Sequence, residues 1–90
     1  MIDRKILRPW ILEALRMLRG SGSVVEVSRL IWQVHEADLR ASGDLFYTWQ
    51  YDVRWQAQAL RDNGYLQTVE GRRNVPWELT QQGWDADLAV

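Results

Sequence analysis

Apolar residues follow helical spacing from the first positions of the chain. They recur every three or four residues and form one stripe of a first helix: Leu7, Ile11, Ala14, Leu15 and Leu18. Pro9 suits the first turn of a helix, because its ring fixes φ and its missing N–H is not needed there. We therefore predict a helix over about residues 6–19, ended by the glycine-rich connector Gly20–Gly22.

A second helix is predicted to begin directly after Ser23. Ser23 and Glu26 have the spacing of a capping box, in which the hydroxyl accepts from the amide three residues on and the carboxylate accepts from the cap amide. Four branched apolar residues form the predicted inward stripe of this helix: Val27, Leu30, Ile31 and Val34. The pattern fades at residues 41–44, Ala-Ser-Gly-Asp, which we predict to be a loop.

A third helix is predicted over about residues 46–63, where Asn63-Gly64 resembles a left-handed C-terminal cap. At 100° per residue, one face of this helix is apolar: Phe46, Trp49, Val53, Ala57 and Leu60. The other side is rich in long hydrogen-bonding groups: Gln50, Arg54, Gln58 and Arg61. The third helix is thus predicted to have one buried and one polar face.

A β-hairpin is predicted to follow the third helix. Residues 65–69 and 75–79 are rich in residues that favour strands, and Glu70-Gly71-Arg72-Arg73-Asn74 between them is a turn with a basic tip. Pro76 cannot donate a ladder hydrogen bond, so its strand is expected at an edge or paired on one side only.

A last short helix completes the predicted fold. Thr80 can cap it, and it covers about residues 81–88 with Trp84 and Leu88 on it. The element order predicts a single domain over residues 1–90 of the α+β class, mostly α. It is that of a winged helix-turn-helix, with three helices, a two-stranded wing and a short C-terminal helix.

Two stretches also resemble the N-terminal winged-helix domain of Mrr-type restriction proteins. They run from Val53-Arg54-Trp55 to Gly64-Tyr65-Leu66 and from Val75 to Leu79-Thr80-Gln81-Gln82-Gly83. The resemblance covers about residues 9–83 and implies a DNA-recognition domain of the kind that the family attaches to a separate nuclease domain. The sequence stops after the recognition part, so we do not expect it to cleave DNA.

Charge and composition restrict the possible functions. Eleven Lys and Arg against twelve Asp and Glu give a net charge of -1, so any anion-binding site must be local. The chain has no Cys, one His and one Lys, which argues against zinc, disulfide and restriction-type nuclease sites. We expect no enzyme activity, cofactor, metal or small-molecule substrate. Without a membrane-length apolar run or a signal sequence, a cytoplasmic location is expected.

The candidate DNA contacts lie on the third helix and on the hairpin tip. Those on the helix are Gln50, Tyr51, Arg54 and Gln58. Those at the tip are Arg72, Arg73 and Asn74. Gln and Arg can pair with adenine and guanine at two points, and adjacent cations can follow phosphates. The alternatives are an ordinary solvated helix face and a tip that is charged for solubility. Free amides near Val24 and Val25 could add a phosphate contact.

Aromatic residues are expected to form much of the core. Trp49, Trp55 and Trp77 are assigned to it, Trp55 by the match to the Val-x-Trp of the Mrr family. His35, with Glu36 and Asp38, is predicted to lie on the solvated outer side of the second helix.

A second stripe on the second helix, Trp32 and Leu39 with Ser28 and His35, needs a further partner. The partner is either the first helix through Trp10, the last helix through Trp84, or another subunit. In the last case the dimer interface consists of Trp10, Trp32, Leu39 and Trp84.

The sequence thus favours a module that binds duplex DNA, with helix 46–63 in the major groove and the 70–74 hairpin on the backbone. Its role would lie in transcription regulation or in a restriction or defence system. The alternative is a winged helix for protein contact or dimerisation without DNA binding, with a protein partner or a second copy and no membrane.

Overall fold

The computed structural model describes residues 3–69, 71 and 75–88. In chain order, its elements are a 3-10 turn Arg4–Ile6, helix α1 Leu7–Met17, strand β1 Ser21–Gly22, helix α2 Val24–Arg40, helix α3 Leu45–Asp62, strand β2 Trp77–Glu78 and helix α4 Gln81–Asp85. Among these described elements, no helix is long and apolar enough to cross a membrane. The molecule is mostly helical with a small antiparallel sheet, as the sequence predicts at that level.

The helix starts follow the predicted capping. Ser23 Oγ accepts from the Glu26 amide at 3.1 Å, and the Ser23 amide donates to Glu26 Oε1 at 2.9 Å, so the capping box of α2 is confirmed. Thr80 Oγ1 accepts from the Gly83 amide at 3.0 Å at the start of α4. Since side-chain caps satisfy amides that a helix cannot, these residues fix where both helices begin.

Helix α4 is shorter than the sequence predicts, so Leu88 lies beyond it. The helix ends at Asp85, and Ala86 is already extended with φ -61° and ψ 139°. Arg16 Nη2 of α1 donates to the carbonyl oxygens of Gly83 at 3.1 Å and Ala86 at 2.6 Å. These two bonds satisfy carbonyls that another helical turn would otherwise use.

The sheet differs from the predicted hairpin. Strand β2 pairs antiparallel with β1, Ser21 opposite Glu78 and Gly22 opposite Trp77, although the sequence assigned β1 to a connector. Gly22 permits this course, because a Cβ there would meet a side-chain carbon of Leu18.

The two predicted hairpin arms touch at one isolated bridge, between Leu66 and Leu79. The Gln67 amide also donates to the Glu78 carbonyl oxygen at 2.8 Å. Of the predicted tip 70–74, only Gly71 is described, and the candidate contacts Arg72, Arg73 and Asn74 lie outside the described residues.

A kink in α2 changes which residues enter the core. Val27 and Ile31 are buried as predicted, but Val34 is 48% exposed and Leu39 is fully buried. His35 has non-helical backbone angles, φ -119° and ψ 21°. The helix is therefore out of phase after His35, where Leu39 is buried. Val34, which precedes the kink, is exposed, so the prediction that it points inward is wrong.

The tryptophans of the predicted core divide into three cases. Trp49 is buried, Trp77 is partly buried, and Trp55 is 58% exposed. Two residues on a helix turn through about 200°, so Trp55 faces away from the buried Val53. The assignment of Trp55 to the core, taken from the family motif, is therefore wrong.

We expect Gly83→Ala to lower the free energy of unfolding by about 3 kcal/mol, the upper end for overpacking. Gly83 is buried, and a Cβ there would collide with the backbone carbonyl oxygen of Tyr65. Gly43→Ala is the control: its φ is +70°, but no atom lies within 4 Å of the added Cβ. It should cost only about 1 to 2 kcal/mol for the left-handed backbone. Equal losses in urea denaturation would contradict the collision at Gly83.

Candidate functional site

Helix α3 presents a polar and aromatic arc to solvent. Tyr47, Tyr51 and Trp55 are spaced four residues apart and are 83%, 66% and 58% exposed. A parallel exposed row, also spaced by four, contains Gln50, Arg54 and Gln58. We call these six residues the α3 arc. The four contact residues that the sequence predicts on this helix thus lie together. Tyr47 and Trp55 were not among the predicted contacts, although their spacing of four residues from Tyr51 can be seen in the sequence.

One member of the α3 arc is already engaged on the helix surface. Gln58 Nε2 donates to Asp62 Oδ1 at 2.9 Å, and Gln58 Oε1 accepts from Arg61 Nη1 at 2.9 Å. Arg61 Nε in turn donates to the Gln67 carbonyl oxygen at 3.1 Å. A new contact by Gln58 would have to replace these bonds, so it is the least available of the predicted residues.

A groove of about 590 Å³ runs along one side of the α3 arc, between α3 and the first half of α2. Its lining is Val24, Val25, Ser28, Arg29, Trp32, Gln33, Phe46, Trp49, Gln50 and Arg54. The lining contains two arginines and no acidic side chain. Within the described part of the chain, neither Arg29 nor Arg54 forms a side-chain hydrogen bond or ion pair.

A second depression, of about 410 Å³, lies on the other side of the α3 arc, against the start of α1. We call it the α1/α3 hollow, and its lining is Arg4, Lys5, Arg8, Tyr51, Asp52, Trp55 and Gln56. Arg8 Nε donates to Gln56 Oε1 at 2.7 Å and so ties α1 to α3. The α3 arc therefore has cationic side chains on both sides.

Several acidic side chains, unlike most of these cations, are already bonded to other side chains of the protein. Glu13 and Asp38 face His35, and Glu36 pairs with Arg40 at 2.7 Å. Asp52 in the hollow is 8% exposed, and its Oδ2 accepts from Thr48 Oγ1 at 2.8 Å. A chain of net charge -1 thus presents unpaired cations around α3 while several of its carboxylates are occupied elsewhere.

The stripe that needed a partner is covered by α3. Trp32 stacks on Trp49 with ring centroids 6.2 Å apart and planes 8° apart, and Phe46 lies 6.3 Å away. The Arg40 guanidinium lies 5.2 Å from the Trp32 ring. The loop at residues 41–44 is short and brings the end of α2 beside the start of α3. Trp10 of α1 also supplies part of the partner, because its ring stacks on His35 of the same stripe.

Two of the four residues proposed for a dimer interface have no free surface. Leu39 is fully buried and Trp10 is 8% exposed. Trp84 is 41% exposed and packs against Gly20, where a Cβ would lie 2.8 Å from its ring. The prediction that Leu39 and Trp10 belong to a dimer interface is therefore wrong, because both are buried within the chain, whereas Trp32 is only partly buried and Trp84 keeps an exposed surface.

His35 also lies elsewhere than predicted. Its ring stacks on Trp10 with centroids 3.9 Å apart and planes 8° apart. Its Nε2 lies 2.8 Å from Glu13 Oε1, and its side chain is 15% exposed. The kink in α2 turns His35 toward α1, so the prediction of a solvated outer position is wrong. The histidine joins two helices.

Comparisons with known proteins do not assign the chain to a family. No family model, curated protein or solved structure matches it. Its function must therefore be inferred from the arrangement of its own side chains.

We expect Trp32→Ala to lower the free energy of unfolding by about 2 kcal/mol, less than for a fully buried Trp because Trp32 is partly exposed. Trp55→Ala, which removes an exposed Trp from the neighbouring helix, should change it by no more than about 0.5 kcal/mol. Urea denaturation at two protein concentrations measures both. A wild-type midpoint that rises with concentration would show that an intermolecular contact also stabilises the fold.

Proposed function

We propose that this chain is a winged helix that binds duplex DNA with α3 in the major groove. The element order supports the fold: three helices precede β2, β1 lies between α1 and α2, and Leu66 bridges to Leu79 beside the sheet. In helix-turn-helix proteins the later helix of the pair enters the major groove. Here the pair is α2 and α3, and α3 is the later helix and carries the exposed α3 arc.

The observation that carries this proposal is the presence of cations on both sides of the α3 arc. The major groove is about 12 Å wide and admits one α-helix between two phosphate backbones. In that position, Arg29 on the α2 side would meet one backbone. Arg4, Lys5 and Arg8 on the α1 side would meet the other. A local pair of cationic flanks compensates for the absence of a net positive charge.

Base reading is assigned to Arg54 and Gln50. Both are exposed, lie on the α3 arc and have no side-chain hydrogen bonds among the described residues. Arg can donate two hydrogen bonds to guanine O6 and N7, and Gln can pair with adenine at N6 and N7. Tyr51 lies beside them and can contact a thymine methyl group. Gln58 would read a base only after leaving Asp62 and Arg61.

The wing completes the proposed interface. Arg72, Arg73 and Asn74 are assigned to the DNA backbone from the sequence, and the segments that lead toward them are joined by the Gln67 to Glu78 hydrogen bond. The resemblance to Mrr-type recognition domains supports a role in restriction or defence, and transcription regulation is the other proposed setting. Both are consistent with the expected cytoplasmic location.

A second candidate function, contact with another protein, is favoured by the exposed aromatic row. Tyr47, Tyr51 and Trp55 lie on one helix, and Tyr, Trp and Arg are enriched at the centres of protein interfaces. This candidate predicts binding that depends on the aromatic side chains and little on salt. DNA binding through the cationic flanks predicts instead that binding depends strongly on salt and less on the aromatic side chains.

We expect affinity for duplex DNA to fall with salt, with a slope of about 0.9 in log affinity against log salt for each phosphate contact. Arg29→Gln and Arg4→Gln, one on each flank, should each lower the slope by about 1. Arg40→Gln removes the same charge, but Arg40 is already paired with Glu36, so the slope should not change. Fluorescence anisotropy between low and moderate salt measures the slopes. Equal slopes for all four proteins would remove the flanks from the DNA interface.

Arg54→Ala should relax the preference at one or two neighbouring base positions, because it loses a two-point pair with guanine of about 1 to 3 kcal/mol. Arg72→Ala should instead weaken binding to all sequences by a similar factor, since phosphate contacts carry no base information. Site selection from a random duplex pool compares the base preferences of wild type and both variants. If all three preferences are identical, Arg54 is not a reader.

A further inference from the structure

The α1/α3 hollow contains buried polar groups that the proposed duplex contact does not use. Asp52 and Gln56, 8% and 7% exposed, are the buried polar or charged residues found among the described part of the chain, and both line this hollow. Burial of polar groups is unfavourable unless they are hydrogen-bonded. Neither residue has a buried side-chain atom without a partner, so the atoms of Asp52 and Gln56 that make no hydrogen bond reach solvent and are accessible to a ligand.

Each of the two side chains has one atom bonded and one atom free. Asp52 Oδ2 accepts from Thr48, and Gln56 Oε1 accepts from Arg8. Within the described residues, the other carboxylate oxygen of Asp52 and the amide nitrogen of Gln56 have no hydrogen-bond partner. The lining of the hollow thus includes one acceptor and one donor without a partner, and the bonds to Thr48 and Arg8 restrain both side chains.

Two aromatic rings stand beside these polar groups. Tyr51 and Trp55 line the hollow, with ring centroids 6.2 Å apart and planes inclined by 64°. Trp55 is 58% exposed, although most large aromatic residues bury more of their surface in small domains. An exposed ring face next to hydrogen-bonding groups suits a flat, polar, aromatic ligand, because the ring can stack while its edge is recognised.

The remaining lining residues are cations. The side chains of Arg4 and Lys5 form no hydrogen bond or ion pair with any described residue, and Asp52 forms no ion pair with them or with Arg8. The carboxylate is bonded to Thr48 instead, which leaves the positive charge of Arg4 and Lys5 available for an anion. Phosphate oxygens are suited to such groups.

We infer that the α1/α3 hollow binds a guanine nucleotide, either free or as an unpaired nucleotide within a strand. The base stacks on Trp55 and Tyr51, and its adjacent N1–H and N2–H groups donate to Asp52. The Gln56 amide donates to guanine O6, and the phosphate is held by Arg4 and Lys5. Adenine presents no such pair of donors to a carboxylate, so guanine is preferred. This inference goes beyond duplex reading and does not require it.

The test is a titration of the intact chain with guanosine monophosphate, adenosine monophosphate, guanosine and inorganic phosphate, followed by calorimetry and by the NMR signals of the indole N–H groups. We expect the guanine nucleotide to bind at least about 10-fold more tightly than the other three, as expected when both stacking and base-edge contacts contribute. The indole signal of Trp55 should shift. Equal affinity for inorganic phosphate and the guanine nucleotide would overturn the inference, because the hollow would then bind only anions.

Variants separate stacking from edge recognition. Trp55→Ala should weaken binding of the guanine nucleotide about 10-fold, whereas Tyr47→Ala, an exposed aromatic residue of the same helix outside the hollow, should leave it unchanged. Asp52→Asn keeps the size and the Thr48 contact and should remove the preference for guanine over adenine. Circular dichroism would detect loss of folding in the Asp52→Asn variant. In that case the comparison of Trp55→Ala with Tyr47→Ala tests the inference. Equal effects of those two substitutions would overturn the inference.

The source of the nucleotide is distinguished with two further ligands, a duplex with one bulged guanine and the same duplex fully paired. Tighter binding of the bulged duplex with a shift of the Trp55 signal would indicate an unpaired nucleotide in a strand. Binding of the monophosphate alone would indicate a free nucleotide. If neither shifts Trp55, the hollow is not a nucleotide site, whatever the affinity for paired DNA. If the monophosphate binds but paired DNA does not, the duplex proposal fails and the nucleotide site stands.

Discussion

The burial of one face of α3 against both α1 and α2 determines the rest of the structure. Trp49, Val53 and Leu60 of this face are at least nine-tenths buried, and they leave α3 only one arc open to solvent. Because a different helix lies on each side, the arc has two distinct flanks. One flank is the aromatic groove with Arg29, and the other is the α1/α3 hollow. Both proposed binding surfaces therefore follow from the same packing.

Local signals in the sequence predicted local structure well. The capping box at Ser23 and the cap at Thr80 depend on residues three positions apart, and both were confirmed in the structure. Features that depend on distant partners were not predictable in this way. The pairing of β1 with β2 joins residues far apart in the chain, and the kink at His35 accompanies its stacking on Trp10. A periodic pattern contains neither kind of information, since it assumes a regular helix.

The candidate site was predictable to a similar extent. Helical spacing placed Gln50, Tyr51 and Arg54 on one exposed face, because neighbours on a helix surface follow from sequence separation alone. The cations of the flanks come from the 3-10 turn, α1 and α2, so only tertiary packing brings them beside α3. Trp55 was misplaced for another reason: its assignment came from a motif resemblance, whereas its angular position relative to Val53 already opposed it.

The Arg16 side chain has a consequence for the order of folding. Its hydrogen bonds to the carbonyls of Gly83 and Ala86 span 67 and 70 positions of the chain, and its Nε is buried without a partner among the described residues. Loop-closure entropy grows only slowly with length, and the Arg8 to Gln56 bond between α1 and α3 already spans 48 positions, so most of this closure is made when those two helices assemble. Docking of α4 also carries a desolvation cost, because Arg16 Nε is buried without a partner among the described residues. Docking of α4 is therefore expected to complete folding after α1, α2 and α3 have assembled, with Arg16 joining the last helix to the first.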